Sequence, residues 1–163
     1  MAKNKEEKTN VMRVLEQKKI AYTAHTYPHE EGMAVDGVTV AKSMGFDPAI
    51  VFKTLVARGA SKQYYVFDVP VAENLDLKKA AKAVGEKSIE MIHQKELLPL
   101  TGYVHGGCSP VGMKKLFPTV FHETAENLEI MIVSAGKIGY QVELAPRDLA
   151  ALVRAKFADI IVE

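Results

Sequence analysis

Two runs of strand-forming side chains sit side by side in the middle of this chain, and they constrain its fold more than any other feature. Val51-Phe52-Lys53-Thr54-Leu55-Val56 belongs to a strand expected over 50–58, and a second run over 63–69, dense in Tyr64, Tyr65, Val66 and Phe67, returns as its neighbour. Gly59-Ala60-Ser61-Lys62 reads as the hairpin connection between them. Alternation puts Val51, Lys53 and Leu55 on one side of the first strand and Phe52, Thr54 and Val56 on the other. Neither side is cleanly polar, so Lys53 stands on or beside a covered surface. A buried ammonium without a partner is costly, so such a lysine meets a carboxylate, an anion or a cleft; alternatively it is a solvated edge lysine that discourages strand pairing. The pattern leaves both readings open.

Around this hairpin the chain alternates short helices and strands. Val11, Met12, Val14, Leu15 and Lys18 fall at helical spacing within 6–18, with an acidic start (Glu6, Glu7) and a basic end that suit the helix dipole. A first strand is expected over 20–27, ended by Pro28. The polar, turn-rich stretch 28–37 is a loop of the kind that borders sites. Asp36 is placed to cap a helix over 37–44, with Val38, Ala41 and Met44 inward and Gly45 as its stop. Asp76 and Gly85 bracket a second helix over 77–84 in the same way, with Leu77, Ala80, Ala81 and Val84 inward. Beyond it we expect a strand at 88–91, a helix at 94–98 and a strand at 118–122 running into a short helix near 123–126. Strands at 129–133 and 140–144 flank the turn Ser134–Gly139, and Pro146 starts a helix over about 146–154. A last strand is expected at 160–162. The order of elements predicts one α/β domain over 1–163: a mixed sheet, open or closed, with interspersed short helices and residues 1–5 frayed.

Charge narrows the partners. With 21 basic and 20 acidic side chains the formal net charge is +1, so any nucleic-acid contact rests on a local patch. One cysteine, Cys108, rules out an internal disulfide and a thiolate cluster, which fits a reducing compartment. No leader-like or membrane-spanning apolar run appears, and a cytoplasmic location is expected.

Candidate chemistry is sparse. Thr101–Gly112 holds four glycines in twelve residues, and Gly106-Gly107 is suited to present backbone amides to a carbonyl oxygen or a phosphate, or to form an ordinary bend. Cys108 with nearby His105 is a weak nucleophile candidate. His25, His29, Glu30 and Glu31 lack an evident third ligand and the spacing of a metal site, so no metal is expected. What the residues support better is a site without a strong nucleophile: Lys53, Tyr27, the Gly106-Gly107 backbone and the Ser134-Ala135-Gly136 turn, doing electrostatic work on a substrate that carries its own reactive group.

His25-Thr26-Tyr27, Phe52-Lys53-Thr54-Leu55, Leu75-Asp76-Leu77-Lys78-Lys79-Ala80-Ala81, Thr101-Gly102-Tyr103-Val104, Gly106-Gly107-Cys108-Ser109-Pro110-Val111-Gly112 and Val142–Leu149, in this order, resemble the YbaK/EbsC family, and within it the bacterial Cys-tRNA(Pro) deacylases. The resemblance spans roughly 8–162. It implies the fold of the editing domain found in bacterial prolyl-tRNA synthetases, a mostly antiparallel, β-barrel-like mixed sheet flanked by helices. It implies trans-editing: cleavage of the ester in mischarged Cys-tRNA(Pro), with the substrate's own thiol attacking the carbonyl to give a thiolactone. Lys53, Tyr27 and the Gly106-Gly107 backbone, Gly107 in particular, would carry the catalytic roles, with His25, Phe52, Thr54, Ser134, Ala135 and Gly136 around the substrate. No cofactor, metal, membrane or DNA is implied; the partners are the aminoacylated tRNA 3′ end and, transiently, prolyl-tRNA synthetase. Other readings are a deacylase for another mischarged tRNA such as Ala-tRNA(Pro), or a tRNA- or synthetase-binding module without turnover. Two positions depart from the family's Ser-Gly-Gly-Lys-Arg-Gly stretch. Ala135 would be strained if that position needed a positive φ, and Ile138 removes an arginine.

Overall fold

The computed structural model describes residues 8–30 and 32–163. The expectations for residues 1–5, for Glu6 and Glu7 and for Glu31 lie outside the described residues. Helix α1 (Asn10–Gln17) is capped by Thr9, whose side chain accepts from Met12 N, and buries Val11, Met12 and Leu15. Strand β1 (Thr23–Thr26) follows, and then helix α2 (Gly37–Met44). The capping expectation for α2 holds: Asp36 accepts from Thr39 N, and Gly45 ends the helix at φ 80°. Its buried residues are Val40 and Ala41, so only Ala41 of the expected inward set is fully covered.

The hairpin is β2 (Phe52–Gly59) and β3 (Tyr64–Pro70), antiparallel, with Lys53 opposite Val69 and Thr54 opposite Asp68. Glu86 fastens its turn, accepting from Ser61 N at 3.1 Å and from the Tyr65 hydroxyl at 2.6 Å. Helix α3 (Leu77–Val84) lies between the Asp76 cap and Gly85 at φ 75°, as the sequence predicts, but Leu77 is 41% exposed and only Ala80 and Ala81 are buried. Strand β4 (Ile89–Met91) precedes helix α4 (Gln94–Thr101), which runs past Pro99. A proline there forfeits one N–H, and the last turn is held by Thr101 Oγ1 donating to Leu97 O and Gly102 N donating to Leu98 O, both at 2.8 Å.

Strands β5 (Thr119–His122), β6 (Met131–Ser134) and β7 (Tyr140–Leu144), helix α5 (Pro146–Val153) and strand β8 (Lys156–Ala158) complete the chain. The expected strand at 160–162 is not a ladder strand. Ile160 N donates to His122 Nδ1, Asp76 N to Ile160 O and Lys79 Nζ to Ile161 O, so the backbone there serves local contacts.

The strands form two sheets, β1-β7-β6 and β4-β2-β3-β5-β8. Four of the strand pairs are antiparallel (β1–β7, β2–β3, β2–β4, β6–β7), whereas β3–β5 and β5–β8 are parallel. The sheet is thus mixed and mostly antiparallel, flanked by short helices. Among the described residues it does not close into a barrel: the two sheets meet at an isolated bridge, Val51 to Ile132. The main core lies between the sheets, where Phe52, Val56, Val66 and Phe121 meet Met131, Val133, Val142 and residues of α1 and α5. The opposite face of the five-stranded sheet buries Ala57, Phe67, Val69 and Val120 together with Ala80 and Ala81 of α3. Strand alternation thus sends each strand's side chains into two cores. No helix among the described residues is long and apolar enough to cross a membrane.

Candidate active site

The cleft opens where the two sheets part. β4 pairs with β2 only at Ala57–Gly59, and β6 touches it at Val51, so the stretch between them is an interrupted edge. The bonds at either end fix the phase of the strand. Val51 O accepts from Val71 N and Gly59 N donates to Gln63 O, so odd-numbered residues turn their amides to β3; Val56 O, of the other parity, accepts from Ile92 N. Thr54 therefore aims its N–H and C=O at the interrupted edge. A cavity of about 370 Å³ lies there, lined by Tyr27, Ala34 to Gly37, Phe52 to Leu55, His105, Gly106, Cys108, Ser134 and Gln141, with Val40, Val51, Val71 and Leu97 behind them. That is large enough for an aminoacyl ester and its ribose.

Lys53 is half-buried, and among the described residues its ammonium has no hydrogen bond or ion pair. Burial lowers its pKa, while the carboxylates of Asp36 and Glu73 pull it back up. A cation held this way is available to a ligand. The solvated-edge reading does not describe it, since the residue lines the cavity. Tyr27 is 5% exposed, its N–H donating to Gly139 O at 3.0 Å and its phenol pKa raised by burial. Ser134 Oγ accepts from Gly136 N at 3.1 Å. Gln141 Oε1 is buried on the cavity wall without a partner among the described residues, an acceptor that sequence reading missed.

Of the glycine pair, Gly106 lines the cavity and Gly107 does not. Gly107 N donates to Val104 O at 2.9 Å, and its Cα backs onto the Lys137–Ile138 peptide. The Gly107 amide is thus already used within its own turn, and Gly106 is the member of the pair that faces the cavity. Gly106 sits at φ 88°, where a methyl group would lie 2.6 Å from Ala34 Cβ. Gly106→Ala is expected to lower the thermal midpoint by ~3–8 °C, because a left-handed non-glycine residue costs roughly 1–2 kcal/mol and Ala34 must move off the cleft. An unchanged midpoint in a melting experiment would contradict this contact.

Three other expected site residues lie off the cavity. His25 holds Glu143 Oε1 at 2.7 Å through Nε2 and packs edge-on against Phe46, so its ring is committed elsewhere. Ala135 is fully buried in the main core. It is not among the residues at positive φ, so alanine is unstrained there; the left-handed residue is Gly136, at 91°, packed against the Tyr103 ring and Val11. Ile138 is buried too and supports Gly106 from below. Tyr27, Lys53, Phe52, Thr54, Gly106 and Ser134 are brought together.

Behind Thr54 lies a residue that sequence reading passed over. Asp68 is 0% exposed; its Oδ1 accepts from Thr54 Oγ1 at 2.5 Å and its Oδ2 has no partner among the described residues. Burial raises its pKa to about 7 against the pull of the Thr54 hydrogen bond. The signal was available, for Asp68 is the single charge inside the run Tyr64–Pro70. Cys108 is 7% exposed, and burial, reinforced by Asp68, pushes its thiol up to about 12. At that value it is a neutral wall residue, poorly suited to nucleophilic attack at neutral pH. The cleft therefore offers a cation, backbone amides and hydroxyls, which suit the stabilisation of charge on a carbonyl substrate.

Known proteins resemble this one along nearly the whole chain. The family model for the aminoacyl-tRNA editing domain matches residues 29–152. The chain is 46% identical over 161 residues to the Enterococcus faecalis protein named "Putative Cys-tRNA(Pro)/Cys-tRNA(Cys) deacylase EbsC", covering 98% of each. It is similar, at 25% identity and a TM-score of 0.79, to a crystal structure of "a putative trans-editing enzyme for prolyl tRNA synthetase", covering 94% of this chain and 95% of that one. The crystal structure of hypothetical protein APE2540, at 19% identity and a TM-score of 0.82, covers 93% of this chain and 99% of that one and shares the fold. Sequence and fold agree, and the chain belongs to the aminoacyl-tRNA editing domain family.

Proposed function

We propose that the protein is a trans-editing deacylase that removes cysteine from mischarged Cys-tRNA(Pro). The observation that carries this reading is a cleft whose Lys53 ammonium has no ion pair among the described residues and whose Cys108 thiol is held neutral, in a chain 46% identical to a relative named for Cys-tRNA deacylation. A site of that make needs a substrate that brings its own nucleophile, and cysteine does. Its thiol attacks the ester carbonyl, the ribose oxygen leaves, and a thiolactone and free tRNA result. The protein holds the aminoacyl end in line and steadies the oxyanion, with Lys53 as the charge, Gly106 and the Thr54 edge as close-approach backbone, and Tyr27 and Ser134 as walls. Cysteine is close to proline in size, so the synthetase pocket separates the two poorly and a second site is required.

Prolyl-tRNA synthetase is the proposed transient partner. At a net charge of +1 the protein has little field with which to hold a whole tRNA; the synthetase would hold it while this domain takes the 3′ end. The test is ester loss from preformed Cys-tRNA(Pro), Cys-tRNA(Cys), Ala-tRNA(Pro) and Pro-tRNA(Pro) with catalytic amounts of protein, with and without the synthetase. We expect turnover of the cysteinyl esters, faster on tRNA(Pro) when the synthetase is present. Preferential loss of Ala-tRNA(Pro) would assign a different substrate, and no turnover would leave a binding module. Cys108→Ala is expected to retain most of the activity, since a thiol held near 12 carries negligible thiolate at neutral pH. Loss of activity in that variant, with an intact fold, would contradict the substrate-thiol mechanism.

A further inference from the structure

The Thr54–Asp68 pair gives the cleft a polarity. With Asp68 ionised, the one proton of the Thr54 hydroxyl points at Asp68 Oδ1, and the lone pairs of Thr54 Oγ1 are left to accept from a donor. Thr54 shares the lining of the cleft with Phe52, Leu97 and Cys108, so part of that wall is apolar and compatible with a thiol. Among the described residues the second carboxylate oxygen of Asp68 is buried and unpartnered, an arrangement that costs stability. Resting on the deacylase reading above, we propose that Asp68 is a positioning residue for the substrate thiol, acting through Thr54 as the acceptor of the thiol proton.

The step balances. As the S–H bond breaks, its proton passes to Thr54 Oγ1 while the hydroxyl proton of Thr54 passes to Asp68. The sulfur electron pair forms the C–S bond to the carbonyl carbon. When the tetrahedral carbon collapses, the C–O bond to the ribose breaks, and the ribose oxygen takes the proton back from Asp68 along the same path. Nothing is oxidised or reduced, and the thiol proton ends on the tRNA.

The environment of Asp68 fits the task. A free cysteine thiol titrates near ~8.5 and an ordinary aspartate near ~3.9, too far apart for efficient transfer. A carboxyl raised to about 7 narrows that gap. Of the elements packed on it, β2 presents Thr54, with Lys53 leaving from the opposite face of the strand; β5 presents Phe121; and the glycine-rich loop presents Cys108, which is neutral. Among the described residues no charged group pairs with Asp68.

The test is single-turnover deacylation of Cys-tRNA(Pro) by wild type, Asp68→Asn and Thr54→Val between about pH 5.5 and 9. The carboxamide of the Asp68→Asn variant keeps the shape and can still accept from Thr54, but it cannot take a proton. The wild-type rate is expected to rise with pH through about 7. Asp68→Asn is expected to be at least ~10-fold slower at neutral pH and to approach wild type as pH exceeds the thiol's own ~8.5, where the proton is already gone. Thr54→Val should trace the same curve, which keeps the idea testable if one variant folds poorly. A wild-type rate in Asp68→Asn at neutral pH, or slowing by one factor at every pH, would overturn the relay. So would a loss of binding affinity in Thr54→Val shared by Cys-, Ser- and Ala-tRNA(Pro), which would make Thr54 a contact for the α-ammonium. A wild type that leaves Cys-tRNA(Pro) intact would sink the deacylase reading itself, a result distinct from a variant that matches an active wild type.

Discussion

Lys53→Ala is expected to lower the rate of Cys-tRNA(Pro) deacylation by about 10²–10³-fold or more, the range seen when a preorganised oxyanion donor is removed. The fold should not suffer. Lys53 is half-buried with no ion pair among the described residues, and burial already disfavours its charged form. Removing it therefore takes away an ammonium that the native state holds at some cost, and the thermal midpoint should stay level or rise. Loss of activity with retained stability separates function from folding in one variant. Lys53→Arg should not restore the rate, because a guanidinium is a planar fork where the cavity meets a point charge. The alkaline side of the pH profile should fall as Lys53 loses its proton, at a pH below that of an ordinary lysine. Full activity in Lys53→Ala would contradict the site.

Asp68→Asn should leave the protein more stable at alkaline pH. In the unfolded chain this carboxyl ionises near 3.8, and in the folded protein near 7. Between those values the native state keeps a proton that the unfolded state has released, so stability falls as pH rises, and the loss is complete above about 7. Its full size is up to roughly 4 kcal/mol, and the amide, neutral at every pH, avoids it. Melting wild type and Asp68→Asn side by side at acid and alkaline pH should show midpoints that nearly coincide in acid and diverge in alkali, the variant higher. A gap of constant size across the range would mean that Asp68 is not held protonated by burial. If the relay also holds, the variant is more stable and slower, the trade expected of a strained functional group.

Helix ends were legible because their chemistry is local. Asp36 with Gly45 and Asp76 with Gly85 bracket α2 and α3 at the expected residues. The hairpin was legible for the same reason. What escaped depended on tertiary contacts: which face of α3 packs, so that Leu77 points outward; where the last strand pairs, since Ile160 and Ile161 bond to His122, Asp76 and Lys79; and whether the sheet closes. The cleft followed the same rule. Lys53, Tyr27, Phe52, Thr54, Gly106 and Ser134 line one cavity, yet nothing local distinguishes Gly106, which faces it, from Gly107, whose amide is bonded within its own turn. His25 looked like a site residue because it neighbours Tyr27, but strand alternation sends it to Glu143. Asp68 was readable as a lone charge in an apolar strand, a pattern that asks for a partner.

The substrate's own sulfur is the nucleophile in this mechanism. Its most direct test is the rate of ester loss from Cys-tRNA(Pro) and Ser-tRNA(Pro) with the wild-type protein near neutral pH, the two differing by one atom. We predict rapid loss of the cysteinyl ester and a seryl ester that decays no faster than in buffer. Equal rates on the two would contradict the mechanism, because the attack would then come from water or from a protein group.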